Sequence, residues 1–330
     1  MASIGIIANP ASGKDIRRLV SYATVIDNNE KVNIVKRIVL AAQGYGVDTV
    51  YVMPDSFMMG AKVSDELTAE GSLRIDYRML EMRIRADASD STEAARKMSE
   101  LGVGCVVVLG GDGTSRAVAK GIADVPVIPV STGTNNVYPT MLEGTLAGVA
   151  AAVTALSPDP KRTCVHDKRI EVYRNGKFSD IALVDAVFSD NLCIGARAIW
   201  HSGSIRKIVV TRSHPASIGF SAAVGVLEIV APEDDFGYAI ELGAGSTTVK
   251  APIAPGIVER ITLSDARRYD LGAKFAQEID KNCTIALDGE RELQIDAGEK
   301  VEFCVDRTGP WRVDIRKTLE RAHADGFFRK

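Results

Sequence analysis

The sequence predicts two folds in one chain: a doubly wound α/β domain over residues 1–160, followed by a β-rich domain over 161–316. Three observations predict this. In the first half, continuous Val/Ile runs alternate with helical sequence, which calls for a parallel sheet covered on both faces. After "SPDPKRT" (Ser157 to Thr163) helical periodicity fades and strand-like segments follow one another. The length, 330 residues, suits two domains that each bury a core.

The elements can be justified in order. "SIGIIA" (Ser3 to Ala8) is a short buried strand, broken by "NPASGKD" before helical sequence. "VDTVYVMP" (Val47 to Pro54) alternates as a second strand. "DSTEAARKMSELG" (Asp90 to Gly102) is a helix that Asp90 or Ser91 caps and Gly102 ends. "VGCVVVLG" is the third strand, "TSRAVAKGI" a short helix, "VPVIPVS" (Val125 to Ser131) a fourth strand, and "LAGVAAAVTAL" part of an apolar helix. In the second half, "RIEVYRNGKFSDIALVDAVFS" reads as strand, Asn-Gly turn, strand. "VGVLEIV", "GSTTVKAPIA", "VERITL", "CTIALDGERELQI" and "KVEFCVD" read as further strands, and "TLERAHADGFFRK" as a terminal helix.

Composition excludes several classes. Apolar residues make up 46% and charged residues 25%, the balance of a soluble globular protein. A net charge of −3 is not that of a dedicated nucleic-acid binder. The cysteines (Cys105, Cys164, Cys193, Cys283, Cys304) form no CxxC pair and are odd in number, which favours reduced thiols over a disulfide framework or a zinc site. "MASIGIIANP" lacks the features of a signal peptide, and the run Leu146 to Leu156 is too short to span a bilayer. A cytoplasmic protein without membrane insertion is expected.

Four stretches can carry chemistry. GGDGT (Gly110 to Thr114) ends a strand of the parallel sheet, where ligands gather. Its glycines let backbone N–H groups approach an anion, and the next helix points its positive end there. Asp112 is out of place in a bare phosphate cradle unless it holds a metal or takes a proton, both of which phosphoryl transfer requires. The plain alternative is a tight turn in which Asp112 caps a helix starting near Thr114. "NPASGKD" (Asn9 to Asp15) also sits between strand and helix, yet fails the GxxxxGK[ST] pattern; alone it is a generic turn. "STGTNN" (Ser131 to Asn136) offers neutral donors and acceptors that suit a ribose or base edge, or ordinary helix capping. "LDGER" (Leu287 to Arg291) is first of all a hairpin turn.

The order NPxSGK, GGDGT, STGTN, APIAPG, DGE resembles the NAD kinase and diacylglycerol/sphingosine kinase superfamily, and within it the ATP-NAD kinase-like branch called acetoin-catabolism protein X. The resemblance runs over roughly residues 3 to 310. It implies a Rossmann-like N-terminal domain and a C-terminal β-sandwich with the active site between them. It also implies that the terminal helix, 317–330, packs back on the first domain, and that the chain forms a homo-oligomer, dimer or tetramer. The activity implied is Mg²⁺-dependent transfer of the γ-phosphoryl group of ATP to a hydroxyl. Asp112 matches the catalytic base or its metal-binding equivalent. Gly110, Gly111, Gly113 and Thr114 match the phosphate loop. Asn9, Ser12 and Lys14 match the nucleotide-side loop of the lipid-kinase branch, and Thr132, Gly133, Thr134 and Asn135 the second nucleotide loop. Asp288 and Glu290 match the DGE acids, so Asp112 or Asp288 is expected to hold the metal.

NAD is the first acceptor implied. NAD kinases hold its adenosine ribose with an Asn-Glu pair, whereas Val184-Asp185 stands there in this chain. Asp185, with Asn136, remains a candidate for a ribose hydroxyl. From Asn191 to Leu227 there is no acid, while Arg197, Arg206, Lys207, Arg212, His201 and His214 occur. This segment could meet an anionic substrate, with Arg197 and His201 as candidates and Trp200 stacking on a base; otherwise it is a solvated loop or an oligomer contact. A small hydroxylated metabolite, a lipid acceptor lined by Pro215 to Val230, and a non-catalytic nucleotide-binding sensor are the alternatives.

Overall fold

The computed structural model describes residues 1–12, 24, 26–192 and 202–329. Five parallel strands open the chain: β1 (Ser3–Ala8), β2 (Thr49–Val52), β3 (Asp76–Met79), β4 (Cys105–Gly110) and β5 (Val127–Ser131). They lie in the order β3-β2-β1-β4-β5. The winding reverses between β1 and β4, so the loops leaving these two strands lie side by side at the carboxyl edge of the sheet, where such sheets bind ligands.

Side-chain alternation along the strands feeds two layers of helices. Ile4 and Ile6 of β1 pack with Val32, Val35 and Ile38 of α1 (Asn28–Gly44), Val63 and Leu67 of α2 (Met59–Ala69), and Ala147 and Ala151 of α5 (Gly144–Leu156). Ile7, Val106 and Val108 point the other way, against Ala94 and Met98 of α3 (Ala88–Glu100) and Val118 of α4 (Asp112–Gly121). Each such fully buried aliphatic side chain contributes about 1.5–3 kcal/mol. The N-cap of α3 is Asp87, which accepts from the Ser89 N–H, and not Asp90 or Ser91. Asp90 is buried and accepts instead from the N–H groups of Arg85 and Ala86, folding the preceding loop onto the helix.

The second half is antiparallel. It contains β6 (Cys164–His166), β7 (Arg169–Arg174), β8 (Lys177–Ala182), β9 (Asp185–Ser189), β10 (Ile205–Val210), α6 (Phe220–Gly225), β11 (Phe236–Ala254) and β12 (Ile257–Asp270). It continues with β13 (Lys274–Gln277), β14 (Cys283–Leu287), β15 (Glu290–Ile295), β16 (Val301–Asp306), β17 (Trp311–Val313) and α7 (Ile315–Ala324). Six strands run β12-β11-β10-β9-β14-β15 and four run β13-β16-β7-β8. The sheets share one core, in which Phe188 meets Phe303 edge to face at 5.1 Å between ring centroids. "VGVLEIV" is not a strand. Its start belongs to α6, whose Ala223 and Val224 cover the outer face of the six-stranded sheet, and only Val230 bridges, to Ser213.

The chain finally returns to its beginning. β17 pairs in parallel with β5 and antiparallel with β6, which extends the first sheet to seven strands. Ile315 and Leu319 of α7 pack on the first core, and the Thr318 and Thr163 hydroxyls share a 2.7 Å hydrogen bond. Among the described residues no helix is long and apolar enough to cross a membrane.

Candidate active site

The buried strand β4 delivers Gly110 to the carboxyl edge, and α4 begins immediately, with Gly111 as its N-cap and Asp112 as its first residue. Asp112 therefore does not cap the helix. Its carboxylate turns across to the loop after β5, where Oδ1 accepts from the Tyr138 N–H at 2.7 Å and both oxygens accept from the Val137 N–H at 3.1 Å. The helix N-terminus adds positive potential at the same point. Gly111 lies close against the loop after β5: a Cβ there would come 2.7 Å from Asn136 Oδ1, so that side chain would have to shift.

The neighbouring loops are tied to this one. Asn9, directly after β1, donates its side-chain N–H to the Thr114 hydroxyl at 2.9 Å. The Thr132 hydroxyl donates to Ser12 Oγ at 3.0 Å, and the Thr134 hydroxyl accepts from the Thr24 N–H at 3.1 Å. Asn136 donates to Ser131 Oγ at 2.8 Å and to the Gly133 carbonyl at 3.3 Å. Asn135 Oδ1 is buried with no hydrogen-bond partner among the described residues. Lys14 lies outside the described residues. A different lysine serves this loop: Lys31 of α1, 1% exposed, donates to the carbonyls of Asn9 (3.0 Å) and Ser12 (2.8 Å) and to Asn28 Oδ1. Its one legible signal is a cation beside the apolar stripe Val32, Ile34, Val35, Ile38.

The second half supplies the acids of the β14–β15 hairpin. Asp288 and Gly289 both have positive φ, 51° and 80°, as a tight two-residue hairpin turn requires. The Asp288 carboxylate is fully buried and accepts from the N–H groups of Leu183, Val184 and Asp185 at 2.7–3.2 Å. Burial pushes its pKa above the ordinary carboxylate value, against the pull of Arg116 and of these N–H groups. Glu290 reaches the glycine loop itself: a Cβ on Gly113 would lie 2.6 Å from Glu290 Oε1. Arg116 of α4, 4% exposed, joins the two halves, with Asp180 at 3.5 Å, Asp288 at 3.7 Å and Glu290 at 3.5 Å. Sequence reasoning missed Arg116, because a cation two residues after the motif reads as an ordinary helix residue.

The loops therefore bring together Asn9, Ser12, Gly110, Gly111, Asp112, Gly113, Thr114, Thr132–Asn136 and Glu290. Asp185 stands behind them, 7% exposed, with its carbonyl accepting from the Asp288 N–H. Val184 is 1% exposed and packs in an apolar cluster with Ala119, Tyr138, Ile181 and Leu183. The basic segment is not an open anion-binding surface where it is described. Arg206 pairs with Asp190 and Asp280, Lys207 with Glu241, and Arg212 with Asp167. Arg197, Trp200 and His201 lie outside the described residues. His214 Nδ1 accepts from the Ala216 N–H. No group of three or more His, Cys, Asp or Glu side chains placed to hold a metal occurs among the described residues.

Comparison with known proteins bears on the fold and the family. Residues 4–157 match the ATP-NAD kinase N-terminal domain, and residues 168–308 the acetoin catabolism protein X C-terminal domain. Acetoin catabolism protein X of Cupriavidus necator is 38% identical over 332 aligned residues, spanning 97% of this chain and 92% of that protein. Among solved structures, yeast NADH kinase in complex with NADH superposes with a TM-score of 0.51 at 13% identity, over 98% of this chain and 86% of that one. The N-terminal half is thus an NAD kinase-like domain, and the chain belongs to the acetoin catabolism protein X family.

Proposed function

We propose that this protein is an ATP-dependent phosphotransferase that moves the γ-phosphoryl group to a hydroxyl acceptor. One observation carries the reading. Asp112 is a partly exposed carboxylate at the first position of a helix, oriented by two backbone N–H groups and flanked by the glycine loop. Phosphoryl transfer depends mainly on positioning and charge neutralisation. The N–H groups of Gly110–Thr114 bind the phosphates, the loops at Asn9–Ser12 and Thr132–Asn135 hold the nucleoside, and Asp112 orients and deprotonates the acceptor hydroxyl. Asp112 and Glu290, 35% exposed, are the acids that would hold Mg²⁺, which supplies charge neutralisation of the phosphates. Two carboxylates suffice for an ion that keeps water and phosphate oxygens in its shell. We assign Asp288 to holding the β8–β9 backbone rather than to chemistry or metal binding, because its oxygens face inward.

The acceptor reading divides between NAD and a small hydroxylated metabolite. Val184 favours the latter, since it is packed among apolar side chains where the resemblance calls for an amide. The name of the Cupriavidus relative, which places that protein in acetoin catabolism, points the same way. A lipid acceptor has less support, because Ala222, Ala223 and Val224 are fully buried in the sheet packing. A homo-oligomer in the cytoplasm, acting on small molecules and not on nucleic acid, completes the reading. The test is radiolabel transfer from γ-labelled MgATP to NAD, NADH, acetoin and short polyols, alongside thermal shifts with each ligand. Label in a small hydroxylated compound is expected. Label in NADP would restore NAD as acceptor, and nucleotide binding without transfer to any acceptor would leave a sensor.

A further inference from the structure

Tyr138 is 3% exposed and has two polar ends engaged in different directions. Its N–H donates to Asp112 Oδ1 at 2.7 Å, and its hydroxyl donates to Asp167 Oδ2 at 2.8 Å. Asp167 is fully buried. Its Oδ2 accepts from Arg312 Nε at 2.8 Å and its Oδ1 from Arg312 Nη2 at 3.1 Å, and Arg212 Nη2 lies 2.8 Å from the same Oδ1 as an ion pair without aligned hydrogen-bond geometry. The Arg212 guanidinium also lies over the Tyr138 ring, 4.7 Å from its centroid. Burial works against the Asp167 charge, yet the two arginines hold its pKa below the ordinary carboxylate value. Arg212 follows β10 and Arg312 belongs to β17, so the cluster joins the antiparallel half and the returning C-terminal strand behind the glycine loop.

We propose that Tyr138 is a positioning residue for Asp112, held in place by the Asp167–Arg212–Arg312 cluster through its hydroxyl. The inference deepens the phosphotransferase reading and rests on it for its kinetic part. The hydroxyl is not needed for packing, because the ring already fills the apolar cluster with Ile181, Leu183 and Val184. The Arg312 fork and the Tyr138 hydroxyl engage both Asp167 oxygens in hydrogen bonds, and a satisfied buried network of this kind is rigid, while Arg212 Nε and Nη2 make no hydrogen bond among the described residues and contribute charge alone. The rigidity is passed on through one residue: ring and hydroxyl are fixed, so the direction of the Tyr138 N–H is fixed. Asp112 accepts that N–H with one oxygen and is thereby aimed. The strand β17 lies outside both family domains matched, yet it supplies Arg312 to this support.

Tyr138→Phe removes the hydroxyl alone. With MgATP as probe, kcat for phosphoryl release is expected to fall about tenfold while KM for ATP stays within about twofold, as misplacing a reacting group predicts. Amide exchange at residues 137 and 138 is expected to rise about tenfold, with the amides of β4 unchanged. Arg312→Gln should move both readouts the same way by less, since Arg212 remains on Asp167; it also serves if the tyrosine variant folds poorly. Unchanged exchange at 137 and 138, with unchanged kcat, would overturn the proposal. No MgATP turnover by the wild-type protein would instead remove the phosphotransferase reading, leaving the exchange data to decide whether Tyr138 positions the carboxylate.

Discussion

Asp112 and Asp288 each follow a buried strand, each stand beside glycine, and each carboxylate accepts hydrogen bonds from consecutive backbone N–H groups. In sequence both are an acid in a tight turn. In the fold they diverge. Asp112 opens a helix at the carboxyl edge of a parallel sheet and keeps part of its surface open. Asp288 is closed in under Arg116 and grips three N–H groups of the β8–β9 connection. An acid half-buried at the carboxyl edge of the sheet lies within reach of a ligand, whereas one fully buried among three N–H groups and a guanidinium holds backbone. The lesson is that depth of burial and place in the fold, not the acid-glycine pattern, set the two acids apart.

The comparison can be broken at several points. Asp288→Ala should have the largest effect on stability. It strips the acceptor from three buried N–H groups and takes a buried partner from Arg116, a loss of about 3–5 kcal/mol in urea unfolding. A loss under about 1 kcal/mol would place Asp288 with Asp112 rather than apart from it. Gly113→Ala should act on turnover instead. Its Cβ would sit 2.6 Å from Glu290 Oε1, and a half-open side chain gives way cheaply, so melting should change little while kcat falls about tenfold. Unaltered kcat would detach Glu290 from the site. The smallest effect should come from pH. Asp167 has its pKa held below the ordinary value, so the stability it contributes is complete above about pH 4 and is lost as pH falls toward the depressed value. Asp288, raised by burial, has the opposite sign: its penalty fades as pH falls. A melting temperature that drops between pH 5 and 3 in the wild type, and less steeply in Asp167→Asn, would fit this account. Equal slopes would not.

Much of the architecture was legible. The Val/Ile runs mark the parallel strands because both faces of that sheet are buried, and Asp-Gly at 288–289 marks a hairpin because both residues need positive φ. β3 gave no signal, since "DYRM" is a half-exposed strand at the sheet edge without an apolar run. "VGVLEIV" misled because a short buried helix shows the same continuous apolarity as a buried strand. At the site, the glycine loop and Asp112 were legible from local pattern. Lys31, Arg116, Tyr138 and Asp167 were not, because their roles exist only once distant elements meet. Nothing in "HDKR" (166–169) marks Asp167 and Lys168 as fully buried, which they are, where the two halves join. The inward orientation of the Asp288 carboxylate was not legible either, because sequence spacing does not reveal which way a carboxylate faces.

The most direct test of the central claim is a paired measurement on Asp112→Asn: MgATP-dependent phosphoryl transfer and urea unfolding on the same preparation. Asn keeps one acceptor oxygen for the Val137 and Tyr138 N–H groups, so stability should stay within about 1 kcal/mol of wild type. Transfer should fall by about 10²–10⁴-fold, the contribution of a lost general base. A variant that unfolds easily but, while folded, transfers phosphoryl groups at the wild-type rate would contradict the account, because Asp112 would then be scaffold like Asp288.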